Sequence, residues 1–379
     1  MGKSGTGRLE DKRPGISVSG DDEVRSREEP RVRGLDPDVE SEIRRILIVQ
    51  TAFLGDVVLI TPLIRATKEL FSKAIVDVLV IPETAPVLAN NPHIRCILTF
   101  DKRRNKAFAF VNTLREIRKN HYDLAIAPHS SLTTAYLMRL GGIPRRLGFD
   151  RWRASRHLTL RVPHLEGVHK ARRVLHLLSV FTDRQFDMQT EVFPDDSMVR
   201  RAAGIKAELP RPGRPVIAVF PGSIWFTKRW PEEHFAELLR GLDAAGFNLI
   251  VGGSPSERGL CEKVIEASGV SARDIAGDTG PLESAAVIEQ CDLVICNDSA
   301  PLHLANAVKT DVFAIGGPTD MRKMGYFPFR DNDVVFELDL ECRPCGSHGG
   351  RRCPKGHHRC MRDLKPGVIL AKVHERFTE

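Results

Sequence analysis

The turn at 51–58 carries residues suited to acid–base chemistry. It reads Thr-Ala-Phe-Leu-Gly-Asp-Val-Val and follows the short apolar segment 46–49. Gly55 permits a tight backbone, and Asp56 supplies a carboxylate just beyond the apolar segment. A carboxylate in this place can act as the general base that removes a proton from an acceptor hydroxyl. The residues alone leave open the alternative that Asp56 only caps the following helix.

A second turn, 220–231, is suited to binding phosphate. Gly222 and Ser223 offer backbone and hydroxyl donors, and Lys228 and Arg229 offer positive charge. Such a loop can neutralise a diphosphate, including the charge that develops on a nucleotide leaving group. The alternative is an exposed basic loop fixed in place by Trp230.

A third turn, 296–303, has the features of a helix start. Ser299 or Asp298 is predicted to cap a helix with Pro301 in its first turn, and the free N–H groups of such a helix attract phosphate. Asp298 itself is expected to hold the loop or a sugar hydroxyl, because like charges repel. His303 lies one turn in and is expected to face the same end, or else to be an ordinary histidine on a helix face.

These turns follow apolar segments that alternate with helical patterns, which predicts parallel βαβ units. We predict strands at 46–49, 76–81, 97–100 and 124–127, and then at 216–220, 248–251, 293–296 and 312–315. Helices are predicted at 61–71, 85–90, 106–120 and 169–181, and then at 232–245, 257–267, 282–290 and 301–307. A segment rich in Pro and Gly near 210–215 separates the two series. The expected organisation is a disordered charged tail at 1–42, an N-terminal Rossmann-like domain at 43–212 and a C-terminal Rossmann-like domain at 213–379 that ends in a Cys-rich segment.

Ligands of open α/β sheets bind beyond the carboxyl ends of the strands, so the three turns are expected to share one cleft. Neither series contains the G-x-G-x-x-G turn of a dinucleotide-binding domain, which disfavours an NAD-dependent enzyme.

Composition narrows the class of partner. The 379 residues carry a net charge of +7, which suits either an anionic partner or simply a soluble surface. Arginines cluster with few interleaved aromatic residues and without a nucleic-acid motif, so no nucleic-acid partner is expected. The sequence contains no apolar run of 18 residues and no apolar signal region at its start, which predicts a cytoplasmic protein.

Several segments together carry a family resemblance. They are the 54–58 turn, Tyr122-Asp123, the 142–148 segment Gly-Ile-Pro-Arg-Arg-Leu-Gly, the 228–231 segment Lys-Arg-Trp-Pro, and Asn297-Asp298-Ser299 with His303. From about 43 to 371 the chain resembles glycosyltransferase family 9, the lipopolysaccharide heptosyltransferases. The 142–144 segment and the tail at 353–361 look more like the heptosyltransferase II branch than the I branch.

The resemblance implies a GT-B fold, with two doubly wound domains that face each other across a cleft. It also implies inverting, metal-independent transfer of heptose from ADP-heptose to an anionic lipid A–core acceptor. Asp56 is then the expected base, Lys228 stabilises the departing ADP phosphates, and Gly55 lies on the acceptor side. The expected donor-binding residues are Gly222, Ser223, Asp298, Ser299, Ala300 and His303. Ala300 stands where the family usually has glycine.

Two alternatives remain open at this point. One is a transferase that uses another nucleotide sugar for a different surface glycan, and the other is a catalytically silent sugar-nucleotide-binding protein. A lipid-linked acceptor would bring the protein to the inner face of the inner membrane as a peripheral protein, although no amphipathic anchor helix is evident in the sequence.

The four cysteines near the end of the chain form a separate cluster. Cys342, Cys345, Cys353 and Cys360 provide enough soft ligands for a structural zinc ion, and the first pair has the spacing of metal ligands. Reduced thiols or a labile disulfide are the alternatives. No cofactor is expected for catalysis.

Overall fold

The computed structural model describes residues 16–18, 42–103, 106–151 and 153–378. Within these ranges the strands are β1 Ile16–Val18, β2 Arg45–Gln50, β3 Ile75–Val80, β4 Cys96–Thr99, β5 Leu124–Ala127, β6 Arg145–Phe149, β7 Leu160–Val162, β8 Val216–Phe220, β9 Asn248–Val251, β10 Arg273–Asp274, β11 Leu293–Asn297, β12 Val312–Ile315 and β13 Val334–Leu338.

The α-helices of the same ranges are α1 Leu54–Val58, α2 Thr61–Leu70, α3 Lys106–Asn120, α4 Leu132–Leu140, α5 Lys170–Leu175, α6 Asp196–Ala207, α7 Glu232–Ala244, α8 Arg258–Ser268, α9 Pro281–Glu289, α10 Ala300–Ala307, α11 Met321–Met324, α12 Arg359–Arg362 and α13 Pro366–Thr378. Short 3-10 helices occur at Pro82–Leu88, Arg153–His157, His176–Val180, Phe226–Lys228 and Pro255–Glu257.

The strands of the N-terminal half form one parallel sheet in the order β4-β3-β2-β5-β6-β7. Strands β2 and β5 are buried almost completely, because helices cover both faces of the sheet. Numbered from β2, this is the strand order 3-2-1-4-5-6 of a Rossmann sheet. The direction in which successive strands are added to the sheet reverses between β2 and β5, and we call this place the reversal point.

The C-terminal half repeats the same order. Its sheet runs β13-β12-β11-β8-β9-β10 with parallel pairing throughout, and the reversal falls between β8 and β11. Strand β1 adds to the edge of β13 in antiparallel direction, with Ile16 opposite Leu338. The expectation of disorder therefore does not hold for 16–18, where an apolar–polar–apolar triplet pairs with a free sheet edge. The other residues of the 1–42 tail, apart from Glu42, lie outside the described residues.

The predicted strands are present at or within about one residue of their expected bounds. Sequence reasoning missed the shorter or mixed elements β6, β7, β10 and β13 and the helices α4, α6 and α13. The helix expected at 85–90 is instead the 3-10 helix Pro82–Leu88, with Pro86 inside it. Proline lacks the N–H that an α-helix would need at that position.

Candidate functional site

The site lies where the two sheets bring their reversal points together. Asp56 follows β2 on the N-terminal side. On the C-terminal side, the 221–230 turn follows β8 and Asp298 follows β11. In a doubly wound sheet, the crevice beyond the carboxyl ends of the strands at the reversal point is the place for a ligand. All three turns singled out in the sequence occupy such positions.

Asp56 is not a helix cap. It lies in the first turn of α1, whose N-terminal flanking residue is Phe53, and α1 has no side-chain cap. The Oδ1 atom of Asp56 accepts a hydrogen bond of 2.9 Å from the hydroxyl of Tyr326, which belongs to the C-terminal half. The carboxylate therefore faces the other half of the molecule, as a base in a shared cleft requires.

Tyr326 and Lys170 complete the surroundings of Asp56, and sequence reasoning missed both. Burial raises the pKa of Tyr326 well above its usual value, and the charge of Asp56 raises it further. Burial lowers the pKa of Lys170, whereas Asp56 opposes that shift. The Lys170 ammonium lies 5.9 Å from the centre of the Tyr326 ring. These three residues thus form one polar group, in which Lys170 is buried and Asp56 and Tyr326 are half-buried.

The backbone fixes Tyr326 in this position. Gly325 adopts a φ of +82° and accepts a hydrogen bond of 2.8 Å from the Lys170 N–H at the start of α5. A Cβ on Gly325 would overlap the carbonyl oxygen of Val168, so glycine is required there both by its conformation and by the close approach. The Tyr326 turn is therefore held directly against the N-terminal half.

His303 stands at the centre of the site. It lies on α10 and is 5% exposed, and a Cβ on Gly55 would come within 2.5 Å of its ring. Burial lowers the pKa of His303 to about 4, Asp298 and Asp56 raise it, and Lys228 lowers it. One neutral histidine therefore lies within electrostatic reach of the predicted base and of the predicted phosphate-binding lysine. Gly55, predicted on the acceptor side, is a contact point between the halves.

Lys228 is paired with Asp298. Its Nζ lies 2.5 Å from Asp298 Oδ2, which also accepts a hydrogen bond of 2.9 Å from Thr319. Both charged side chains are largely buried, so the pair is well shielded from solvent. An ammonium has three N–H donors, and Asp298 occupies one of them, which leaves two for the oxygens of a bound diphosphate. Asp298 holds the loop through Lys228, in keeping with the prediction.

Side chains stabilise the predicted phosphate-binding turn through hydrogen bonds. Asn297 donates a hydrogen bond of 2.8 Å to the Pro221 carbonyl and accepts one of 3.1 Å from the Trp230 N–H. The Arg229 guanidinium donates to the Ser223 carbonyl at 2.7 Å. Arg229 therefore stabilises the turn itself, and Lys228 is its remaining cation.

The start of α10 matches the predicted helix start in position. Ser299 is the N-terminal flanking residue, but its side chain makes no cap hydrogen bond. Its buried hydroxyl has no hydrogen-bond partner among the described residues. The first-turn N–H groups from Ala300 onward lack a side-chain cap as well, which is the arrangement that attracts an anion.

Gly222 and Glu257 meet on the same side of the cleft. A Cβ on Gly222 would overlap the Glu257 carboxylate, so a larger residue there would require the Glu257 side chain to move. Glu257 also accepts hydrogen bonds from the Ser254 N–H and hydroxyl at 2.9 and 2.7 Å. Glu257 therefore completes a capping box with Ser254 at the 3-10 helix Pro255–Glu257, and the same carboxylate borders the predicted donor turn.

The cysteine-rich segment contacts the turn that carries Lys228. No three His, Cys, Asp or Glu side chains converge as metal ligands within the described ranges, so the predicted zinc site of Cys342, Cys345, Cys353 and Cys360 gains no support. Instead, the Gly350 N–H donates to the Thr227 hydroxyl at 2.7 Å, and the His358 ring lies 2.9 Å from the Thr227 carbonyl. The segment thereby clamps the residue before Lys228.

Comparison with known proteins agrees with this geometry. The family model described as glycosyltransferase family 9 (heptosyltransferase) matches residues 111–353. The chain is 24% identical to a lipooligosaccharide heptosyltransferase 2 of Campylobacter jejuni over 88% of its own length and 99% of that protein. It is 27% identical to a lipopolysaccharide heptosyltransferase 3 of Escherichia coli, over 74% of this chain and 84% of that one.

Among solved structures, the chain is similar to E. coli ADP-heptose lps heptosyltransferase II, with a TM-score of 0.70 and 20% identity over 87% of this chain and 98% of that one. A glycosyl transferase family 9 structure from Veillonella parvula gives a TM-score of 0.69 and 23% identity over 77% and 85% of the two chains. These likenesses confirm the predicted GT-B fold. With the family model covering well over half of the sequence, the chain belongs to glycosyltransferase family 9, the heptosyltransferases, and is a glycosyltransferase.

Proposed function

We propose that the protein transfers heptose from ADP-heptose to the inner core of lipopolysaccharide with inversion at the anomeric carbon. The names of its relatives support both the donor and the acceptor class. In this proposal residues 43–212 bind the acceptor and residues 213–379 bind the nucleotide sugar. The acceptor is an anionic lipid A–core molecule, and the enzyme works at the cytoplasmic face of the inner membrane.

The observation that carries the proposal is the arrangement around His303. The carboxylate of Asp56 approaches from one half, and the Lys228–Asp298 pair approaches from the other. A base and a diphosphate-binding cation on opposite sides of one cleft are what direct displacement at a sugar carbon requires.

The chemical step follows from this geometry. The acceptor hydroxyl gives its proton to Asp56 while its oxygen bonds to the anomeric carbon of the donor, and the bond from that carbon to the diphosphate oxygen breaks. Attack from the side opposite the leaving group inverts the configuration. Lys228 stabilises the negative charge that appears on ADP, together with the Ser223 and Ser299 hydroxyls and the first N–H groups of α10.

Tyr326 orients the base and leaves it free to act. Its hydroxyl occupies Oδ1 of Asp56, and a carboxylate has further lone pairs that can accept a proton. His303 is neutral near pH 7 because burial lowers its pKa to about 4. It therefore adds no positive charge that would compete with Lys228 for the donor phosphates.

The test is a transfer assay with ADP-heptose and two acceptors, Kdo2-lipid A and its mono-heptosylated form, with products read by mass spectrometry. We expect transfer by the wild-type protein and a loss of at least about a thousandfold in Asp56→Asn, which keeps the shape of the side chain and removes the base. Asp331→Asn is the matched control and should retain full activity, because this exposed aspartate precedes β13 and therefore lies at the sheet edge opposite the site.

Each other outcome identifies which part of the proposal fails. Full activity in Asp56→Asn would show that another group is the base. Transfer from a different nucleotide sugar, and none from ADP-heptose, would overturn the donor assignment. Saturable binding of ADP-heptose without turnover on either acceptor would favour the silent sugar-nucleotide-binding protein.

A further inference from the structure

Two neighbouring helices of the N-terminal half expose large apolar side chains in regular stripes. Leu132, Tyr136 and Leu140 of α4 are 45%, 44% and 45% exposed, and they recur every four residues. Phe108 and Val111 of α3 are 62% and 43% exposed at a spacing of three. Such spacings place each set on one side of its helix. We call these five residues the α3/α4 face.

The two stripes lie on adjacent helices that are joined by a hydrogen bond. The Arg118 guanidinium of α3 donates a hydrogen bond of 3.1 Å to the Leu140 carbonyl of α4. The Tyr136 ring packs against the His157 ring with centroids 4.5 Å apart, which brings the 3-10 helix Arg153–His157 alongside. Several large apolar side chains on one solvent-facing surface mark an interaction site rather than random exposure.

The charge around this face is concentrated and positive. Residues 101–161 contain 14 Lys and Arg against four Asp and Glu, a net charge of +10, whereas the whole chain has +7. The remainder of the protein is therefore slightly acidic. Arg139, Arg153 and Arg156 are exposed beside the apolar stripe of α4. Exposed apolar side chains bordered by arginine are the features of a surface that lies in the headgroup region of an anionic bilayer.

The face begins beside the catalytic cleft. Strands β2, β4 and β5 are parallel, so the loops that leave their carboxyl ends lie at one edge of the sheet. The loop after β2 leads into α1, which carries Asp56 in its first turn, and the segments after β4 and β5 lead into α3 and α4. The Lys102 ammonium joins two of these loops by donating to the Thr51 carbonyl at 2.6 Å. A membrane seated on the face would thus border the mouth of the cleft.

We propose that the α3/α4 face docks the enzyme on an anionic phospholipid bilayer, with its apolar side chains in the headgroup region and the surrounding arginines on lipid phosphates. A second copy of the chain fits this face less well, because two surfaces of the same strong positive charge repel each other. Among the described helices, none has the length and apolar character to cross a membrane, so attachment by this face is peripheral. The inference extends the proposed lipid-linked acceptor, but it is tested by binding and not by transfer.

The experiment is flotation of the full chain with phosphatidylcholine vesicles that contain either 30% or no phosphatidylglycerol. We expect binding to the anionic vesicles that weakens as salt is raised. Arg153→Glu/Arg156→Glu should lower the partition coefficient at least about tenfold, since each basic residue near such a surface contributes about fivefold. Leu132→Gln/Tyr136→Gln/Leu140→Gln should lower it by a similar factor.

The matched control removes the same kinds of side chain elsewhere. Val199→Gln/Arg200→Glu changes one apolar and one basic residue that are exposed on α6, and it should bind vesicles like the wild type. Thermal unfolding of all variants checks that they fold. Turnover on a deacylated, water-soluble acceptor should be unchanged in the face variants, whereas turnover on acceptor embedded in vesicles should fall.

Three results would overturn the proposal. The first is a wild-type protein that does not float with anionic vesicles. The second is folded face variants that bind as tightly as the wild type. The third is a dimer in sedimentation that the face variants lose, which would assign the face to a second copy. Because none of these readouts needs Asp56 or heptose, a wrong donor or base would leave them intact.

Discussion

Gly55→Ala is the sharpest test of how the two halves meet. Gly55 precedes the predicted base, and the space where its Cβ would lie is occupied by His303 of the other half. The added carbon would be 2.5 Å from His303 Cδ2 and 3.2 Å from Nε2, whereas ordinary contact begins at 3.4 Å. The added Cβ and the His303 ring must therefore move apart by about 0.9 Å.

The His303 ring cannot provide that movement alone. It is 5% exposed and enclosed by α10, by the Gly55 turn and by the Tyr326 ring, whose centre is 6.1 Å away. Overpacking of this kind costs about 1–3 kcal/mol when a core must shift. The easier relief is to part the two halves at this contact. A displacement near 1 Å at a reacting group lowers a rate on the order of a hundredfold.

We therefore expect Gly55→Ala to lose about a hundredfold in kcat and to fall in Tm by several degrees, at roughly 2–4 °C per kcal/mol. Binding of ADP, measured by calorimetry, should change less than about twofold, because the donor turns belong to the other half. Steady-state transfer and thermal unfolding provide the remaining measurements.

Gly204→Ala is the matched control. Gly204 lies within α6, and a Cβ there would meet nothing within 4 Å. Alanine is favoured over glycine inside a helix by about 0.5–1 kcal/mol, so this variant should be as stable as the wild type or slightly more stable, with normal turnover. If Gly55→Ala behaves like Gly204→Ala, the Gly55–His303 contact does not define the reactive arrangement, and the reasoning above is refuted.

Three further predictions concern the same site. Tyr326→Phe should lower kcat about tenfold with an unchanged KM for the donor, because a hydrogen bond to charged Asp56 is worth about 1.5–3 kcal/mol; steady-state kinetics decide, and unchanged kcat would contradict it. Lys228→Ala should lower kcat/KM about a hundred- to a thousandfold and reduce Tm, since Asp298 loses its buried cation; Lys228→Arg should recover part of both. Because the pKa of His303 is about 4 in the fold and near 6.5 when unfolded, the unfolded chain binds the proton first as pH falls from 6.5 to 4, and roughly 3 kcal/mol of stability is lost over that window. Urea unfolding of wild type and His303→Gln at pH 7, 5.5 and 4.5 should show a shallower loss in the variant, and parallel curves would argue against it.

The central strands could be predicted because they are buried on both faces. Such strands are continuous apolar runs, and β8, β9 and β12 begin and end where the sequence indicates. Strand β6 was missed because it begins with two arginines and is only partly buried there. Strand β1 has only three residues and forms by pairing with the edge of β13, so the local sequence pattern does not predict it.

Some residues of the candidate site could likewise be predicted from the sequence, and others could not. Asp56, Lys228 and Ser299 each follow a predicted strand, so the carboxyl-end rule predicted their common location. Tyr326 meets Asp56 across 270 positions of sequence, and that pairing depends on how the halves pack. Lys170 belongs to a helix that was predicted, but a lysine on a helix is usually solvated, and only the packing of both halves makes it buried.

The N-terminal half carries both the α3/α4 face and the Asp56 side of the cleft, and these two places need positive charge of different kinds. Residues 101–161 carry a net charge of +10, which draws the enzyme to anionic lipid, yet the lysine that interacts electrostatically with Asp56 is the buried Lys170. Burial shields Lys170 from lipid phosphates that would compete for it on an open surface, and the lowered dielectric strengthens its interaction with Asp56. Separating exposed arginines, which attract lipid, from a buried lysine, which faces the carboxylate, allows one strongly basic domain to bind anionic lipid without losing the charge balance around its base.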